Sequence, residues 1–92
     1  MQKIQAVKVI ISGQVQGVFY RVFIKQEAEK LGLSGWVRNL VSGQVEAVFE
    51  GSKTNIEKII NLCKKGSPGS RVEKINIINE TLRNLKTFEI LR

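Results

Sequence analysis

Hydrophobic residues recur along this chain with two different periods, and the order in which those periods follow one another restricts the possible folds. Apolar side chains occupy every second position in residues 7–12, which is typical of a strand with at least one buried face. In residues 21–31 the period becomes helical, with Ile24, Ala28 and Leu31 on one face and charged residues on the other. Gly32 follows this stripe, and a glycine there predicts the end of the helix.

The second half of the chain repeats this alternation. Residues 35–50 predict two strands joined by a short turn at Val41-Ser42-Gly43. Thr54 and Glu57 have the spacing of a capping box, which predicts that a second helix begins at this point. The apolar stripe of that helix consists of Ile56, Ile59, Ile60 and Cys63.

The last two strands are predicted at residues 72–79, which are rich in isoleucine, and at residues 86–92, which contain Phe88 and Ile90 in alternation. Residues 80–85 are assigned neither to a helix nor to a strand. The predicted order is therefore βαββαβ with an added C-terminal strand. Such an order favours an α+β, ferredoxin-like sandwich, in which an antiparallel sheet carries both helices on one face. At 92 residues the chain is expected to form a single domain, residues 1–92.

The composition excludes several kinds of chemistry. There is no histidine, which removes histidine general bases and the usual zinc sites, and the single cysteine excludes an intrachain disulfide. The N-terminal residues are polar and no stretch approaches the roughly 20 apolar residues of a membrane span, so a cytoplasmic protein without membrane association is expected. A net charge of +7 favours an anionic partner, although a merely soluble basic surface would explain it equally well.

A glycine-containing loop joins the first strand to the first helix. Gly13 and Gly17 permit backbone conformations that aim successive N–H groups at one point, and Arg21 lies at the start of the helix that follows. A guanidinium can bind two phosphate oxygens at once, so the segment contains the parts of a phosphate site. The alternative is an ordinary glycine turn with Arg21 as a solvated surface residue.

Asn39 lies near the end of the second predicted strand, where asparagine is disfavoured. Its amide both donates and accepts hydrogen bonds, so it could hold a water molecule and a substrate oxygen together. The alternative is an asparagine that begins the hairpin turn.

Two segments of the chain contain these residues. They read Gly13-x-Val15-Gln16-Gly17-Val18-x-Tyr20-Arg21 and Gly35-Trp36-Val37-Arg38-Asn39-x-x-x-Gly43-x-Val45, the second followed by Gly51. These segments resemble the two signatures of the acylphosphatase family. The resemblance begins at Gly13, continues through the second helix and reaches a Phe88-x-Ile90 ending, so it covers nearly the whole chain. One departure is Tyr20, where the family usually has Phe or Met; the hydroxyl of a buried tyrosine requires a partner.

The resemblance implies an enzyme that hydrolyses the carboxyl–phosphate bond of acyl phosphates to a carboxylate and inorganic phosphate. It implies that Arg21 binds the phosphate and that Asn39 orients the attacking water. No cofactor and no metal are expected, because a carboxylate can leave without a general acid and the sequence has no metal-binding cluster. The backbone amides expected to complete the phosphate site belong to Val15, Gln16, Gly17, Val18, Phe19 and Tyr20.

The expected partners are a small-molecule acyl phosphate and inorganic phosphate, the latter as product and competitive inhibitor, and the protein is expected to be a monomer. An RNA-binding module is the main alternative from the fold, but residues 45–50 lack the required aromatic pattern, and core packing is expected for Trp36 and Phe49. Cys63 is predicted to be a small buried hydrophobe. Two further alternatives are a domain of a larger carbamoyl-transfer enzyme and a regulatory module that binds an anion without hydrolysing it.

Overall fold

A computed structural model describes residues 3–92, which form a five-stranded sheet with two helices packed against it. The strands lie in the order β4-β1-β3-β2-β5. The elements are β1 (Ile4–Gln14), α1 (Tyr20–Lys30), β2 (Ser34–Asn39), β3 (Val45–Ser52), α2 (Lys53–Lys65), β4 (Arg71–Asn79) and β5 (Phe88–Ile90). The predicted βαββαβ order with an added C-terminal strand is confirmed.

The added strand changes the character of the sheet. Strand β1 pairs antiparallel with both β3 and β4, and β2 pairs antiparallel with β3. Strand β5, in contrast, runs parallel to β2, with Phe88 opposite Gly35 and Ile90 opposite Val37. The sheet is therefore mixed. Residues 80–87 lead from β4 at one edge of the sheet to β5 at the other.

The core lies between the sheet and the two helices. Phe49 of β3 stacks on Phe88 of β5 with ring centroids 5.6 Å apart, so the expected core position of Phe49 is confirmed. The core packing predicted for Trp36 is wrong: Trp36 is half-buried, and the guanidinium of Arg38 lies 5.3 Å from its ring centroid. Because side chains alternate between faces along a strand, Trp36 and Arg38 share the open face of the sheet.

The end of α1 lies where the sequence predicts it, whereas the start of α2 does not. Gly32, with φ +67°, ends α1, because its N–H donates to the Glu29 carbonyl at 3.0 Å while Leu33 N–H donates to Ala28 at 2.9 Å, a Schellman arrangement. The predicted capping box at Thr54 and Glu57 is wrong. Strand β3 continues through Gly51 to Ser52, and Ser52 Oγ caps α2 by accepting from Asn55 N–H at 3.2 Å.

The connection from β4 to β5, left unassigned from the sequence, is held by a buried carboxylate. Glu50 of β3 accepts hydrogen bonds from the backbone N–H groups of Arg83 at 2.7 Å and Leu85 at 2.8 Å. These contacts give an irregular segment a defined path to β5. Neither helix within residues 3–92 has the length and hydrophobicity that crossing a bilayer requires.

Candidate active site

The loop from β1 to α1 begins where β1 passes close to β4. The register between these strands shifts between Ser12 and Gly13, which marks an irregularity in the ladder. Gly13 has φ +130°, and a Cβ atom there would collide with the carbonyl oxygen of Arg71. A glycine is therefore required at this position, since any side chain would push the two strands apart.

Residues 15–19 form the loop itself and leave their amides available to a ligand. Val15 is buried in the core and Val18 packs against it, so the loop is anchored by its apolar side chains. Gly17, with φ +74°, and Phe19, with φ 59°, both adopt left-handed conformations. Among residues 3–92 we find no acceptor for the N–H groups of residues 15–19. These unpaired donors lie at the positive end of the α1 dipole, an arrangement that favours an anion.

Arg21 lies in the first turn of α1, half-buried, in the wall of a cavity of about 350 Å³. Its guanidinium forms no ion pair or hydrogen bond with any residue in 3–92. Lys8 and Arg38 on the open face, by contrast, are paired with Glu46. The residues that line the cavity are Val15, Gly17, Phe19, Tyr20, Arg21, Val22 and Ile90.

Asn39 is the last residue of β2 and belongs to the row of side chains that faces the helices, together with Gly35 and Val37. Its Oδ1 atom is buried and accepts no hydrogen bond from the described residues. Asn39 is not part of the cavity wall, but Ile90, which is, lies opposite Val37 in the parallel ladder. The structure therefore brings Asn39 to the same end of the sheet as the loop, with an acceptor still unused.

The side chain of Gln16 connects the loop to the turn that follows Asn39. Its Nε2 donates to the carbonyl oxygens of Leu40 at 2.9 Å and Gln44 at 2.8 Å. Gln44 in turn is the residue whose carbonyl accepts from Leu40 N–H at 2.8 Å and closes the hairpin turn. From the sequence, Gln16 is expected to contribute only its backbone amide. Its partners are 24 and 28 positions away, so no local pattern indicates them.

The side chain of Gln44 adds further hydrogen bonds between the hairpin turn and β1. The Gln44 side chain donates through Nε2 to Ser12 Oγ at 2.8 Å, and its Oε1 accepts from Ser42 at 2.9 Å. The hairpin turn is thus bonded both to the loop and to the end of β1. Loop, hairpin and strand form one hydrogen-bonded unit around Asn39.

Tyr20, the departure from the family pattern, has the partner that its hydroxyl requires. The ring is buried, and the hydroxyl donates to the Cys63 carbonyl oxygen at 2.9 Å, near the end of α2. Burial, and then the neighbouring Cys63, raise the pKa of Tyr20 well above its ordinary value. Burial also raises the pKa of the Cys63 thiol to about 12, so Cys63 is confirmed as a buried hydrophobe without nucleophilic character.

The described residues offer nothing resembling a metal centre: in 3–92, no group of three or more histidine, cysteine, aspartate or glutamate side chains comes together. The charged features of the site are a guanidinium and backbone donors, which suit an anion. Fold and site together define a small α+β protein in which, within residues 3–92, a loop with unpaired backbone amides leads into the first helix beside an unpaired arginine.

Comparisons with known proteins agree with this class. The acylphosphatase family profile matches residues 7–90. An acylphosphatase from Acaryochloris marina is 47% identical over 92 residues, covering 100% of this chain and 99% of the relative. The crystal structure of an acylphosphatase from Bacillus subtilis superposes with a TM-score of 0.93 at 34% identity, covering 98% of this chain and 100% of the other. The chain therefore belongs to the acylphosphatase family, and it is a hydrolase that acts on acyl phosphates.

The same fold also occurs inside a larger protein. Full-length HypF in its phosphate- and nucleotide-bound form matches with a TM-score of 0.89 at 29% identity, covering 100% of this chain but only 12% of HypF. The arrangement of sheet and helices is thus compatible with both a small separate protein and a part of a large one.

Proposed function

We propose that Arg21 and the backbone amides of residues 15–20 bind the phosphoryl group of the acyl phosphate, and that Asn39 orients the water that attacks it. The observation that carries this proposal is the half-buried, unpaired guanidinium of Arg21 in the cavity wall, next to a loop whose amides have no acceptor among residues 3–92. An anion in this cavity would accept hydrogen bonds from the loop amides and pair with the guanidinium.

These donors match the charge that develops during phosphoryl transfer. The transition state is loose and spreads negative charge over the equatorial oxygens of the phosphoryl group. A planar guanidinium can bind two of these oxygens, and the loop amides can bind the rest. Because they are held in place before the substrate arrives, they stabilise this charge without reorganisation.

The reaction then requires only a positioned water. The buried Oδ1 of Asn39 can accept one hydrogen bond from that water and thereby orient its lone pair. The water oxygen forms a bond to phosphorus as the bond to the acyl oxygen breaks, and the carboxylate leaves with the electron pair. The proton from the water passes to a phosphoryl oxygen, since the amide of Asn39 is too weak a base to take it.

The same proposal covers the cofactor requirement, the inhibition by product and the oligomeric state. We expect turnover without a metal or cofactor, and competitive inhibition by inorganic phosphate, which presents the same oxygens to Arg21 and the loop. We further propose that residues 1–92 act as one catalytic domain, as a monomer in the cytoplasm. Sedimentation of the purified protein at catalytic concentrations tests the monomer.

The decisive experiment compares Arg21→Ala and Asn39→Ala with benzoyl phosphate as substrate. Arg21 contacts the phosphoryl group throughout, so Arg21→Ala should nearly abolish turnover and weaken inhibition by phosphate. Arg21→Lys should recover little, because an ammonium lacks the planar fork. Asn39→Ala should lower kcat by at least about a hundredfold and leave KM and the phosphate inhibition constant nearly unchanged.

Arg38→Ala is a matched control, because Arg38 is the neighbour of Asn39 in β2 but its side chain lies on the open face of the sheet, away from the helices. It should retain wild-type kcat and KM, and circular dichroism should show that all variants are folded. Near wild-type turnover in folded Arg21→Ala would refute the phosphate-binding role. If Asn39→Ala raised KM and the phosphate inhibition constant and spared kcat, Asn39 would be a binding residue.

A further inference from the structure

Phe19 is an unusual residue for its position. Its side chain is 82% exposed, and its backbone is left-handed, with φ 59° and ψ 23°. It is also the N-cap residue of α1, yet it forms no side-chain hydrogen bond to the helix. Each of these properties is unfavourable for a bulky aromatic residue in a folded chain.

Folding alone does not account for this choice of residue. A left-handed conformation strains any residue with a large side chain, whereas glycine and asparagine tolerate it. The N-cap position favours small polar residues over aromatic ones. An exposed ring recovers little of this cost through burial. A position that contradicts local preferences without a compensating contact within the fold is typical of a functional residue.

The ring stands in the wall of the cavity that contains Arg21. Val22, which is 41% exposed, and Ile90 belong to the same wall. Arg21 is the one charged side chain among the described residues that form it. The cavity thus has a cation and backbone donors for a phosphoryl group, and apolar surface beyond them.

We propose that Phe19, together with Val22 and Ile90, forms the acyl-group subsite and selects acyl phosphates with an apolar, above all aromatic, acyl group. The inference rests on the proposed function, because it places the phosphoryl group at Arg21 and the acyl group at the apolar part of the wall. A second anionic group on the acyl chain would find no further cation in this wall. Such substrates are therefore disfavoured.

The size of the effect follows from the contact that the ring can form. An aromatic pair contributes an amount that corresponds to about a two- to tenfold change in kcat/KM. Replacing the ring should lower the ratio of kcat/KM for benzoyl phosphate to that for acetyl phosphate by this factor. The different chemical reactivity of the two substrates cancels when the ratio is compared between variants.

Phe19→Asn is the best replacement, because asparagine tolerates a left-handed backbone and removes the ring. Its Tm should equal or exceed that of the wild type. Val41→Asn is the matched control: Val41 is fully exposed in the hairpin turn and is not part of the cavity wall. This control should retain the wild-type preference for benzoyl over acetyl phosphate. Succinyl phosphate, with its extra carboxylate, should be the poorest of the three substrates for the wild type.

The outcomes separate this inference from the proposed function. If the ratio of kcat/KM for benzoyl phosphate to that for acetyl phosphate is unchanged in Phe19→Asn, the inference is overturned. An unchanged ratio with an equal loss for both substrates would indicate a role in loop geometry. If Phe19→Asn is less stable, Phe19→Gly provides the same comparison with a residue that adopts this backbone freely. Failure of the wild type to hydrolyse any acyl phosphate would contradict the proposed function itself, and the inference with it.

Discussion

Gln16→Ala tests whether the glycine loop and the hairpin after Asn39 act as one unit. The change removes two hydrogen bonds, from Nε2 to the carbonyls of Leu40 at 2.9 Å and Gln44 at 2.8 Å. Each contributes about 0.5–1.5 kcal/mol net to stability, so the largest expected loss is about 3 kcal/mol.

The loss in free energy of unfolding is expected to lie in the lower part of that range. The Leu40 carbonyl also accepts from Gly43 N–H at 3.1 Å, and the Gln44 carbonyl also accepts from Leu40 N–H at 2.8 Å. Neither carbonyl is therefore left without a donor, and the penalty for a buried unpaired group does not arise. We expect the free energy of unfolding to fall by about 1–2 kcal/mol and the Tm by about 4–16 °C.

The kinetic effect should exceed the effect on stability. A loss of about 1–2 kcal/mol leaves a small domain almost entirely folded at 25 °C, so unfolding does not lower kcat. A shift of Asn39 relative to the phosphoryl group does lower kcat, because it misplaces the attacking water. We therefore expect kcat for benzoyl phosphate to fall about tenfold. In an Asn39→Ala background the same change should lower kcat by less than about twofold, since the group that Gln16 positions is already absent.

The assay combines urea unfolding, followed by circular dichroism, with steady-state kinetics. Gln14→Ala is the control, because Gln14 is an exposed residue at the end of β1, two positions away, with no side-chain hydrogen bond to the described residues. It should match the wild type in both measurements. Gln16→Glu, which places a carboxylate against two carbonyl oxygens, should be less stable than Gln16→Ala at pH 7. An equally large kcat effect in the Asn39→Ala background would refute the coupling.

The remaining predictions concern the site and the core. Activity should persist in excess chelator, and a complete loss that a divalent ion restores would contradict the metal-free mechanism. Tyr20→Phe should lower the free energy of unfolding in urea by about 1–3 kcal/mol, because it deprives the Cys63 carbonyl of the hydroxyl donor; equal stability would show that this bond contributes nothing. A thiol reagent at pH 8 should label Cys63 only in urea. Because burial raises the folded-state pKa of Cys63 to about 12, stability should fall as pH rises above the ordinary thiol pKa, where the unfolded chain releases its proton first.

Local patterns in the sequence were sufficient for most of the secondary structure. The helical stripe of Ile24 and Ala28 and the alternation of Val7, Val9 and Ile11 are buried as predicted, because each depends only on the period of one element. The end of α1 at Gly32 also depends on neighbouring residues alone. The α2 cap was misplaced because Ser52 and Thr54 are both good N-cap residues, and the length of β3, set by its pairing with β1, decides between them.

The sequence by itself determined the order of the elements, the glycine loop with Arg21 and Asn39, and the family, since these are properties of short segments. Only the tertiary structure decided how the segments meet: Gln16 on the hairpin, Glu50 on the β4–β5 connection, and Tyr20 on the end of α2. It also decided the parallel pairing of β5 and the exposed ring of Phe19. The physical reason is that a hydrogen bond between residues 24 to 43 positions apart forms only after the sheet has brought the strands together, and no periodicity encodes it.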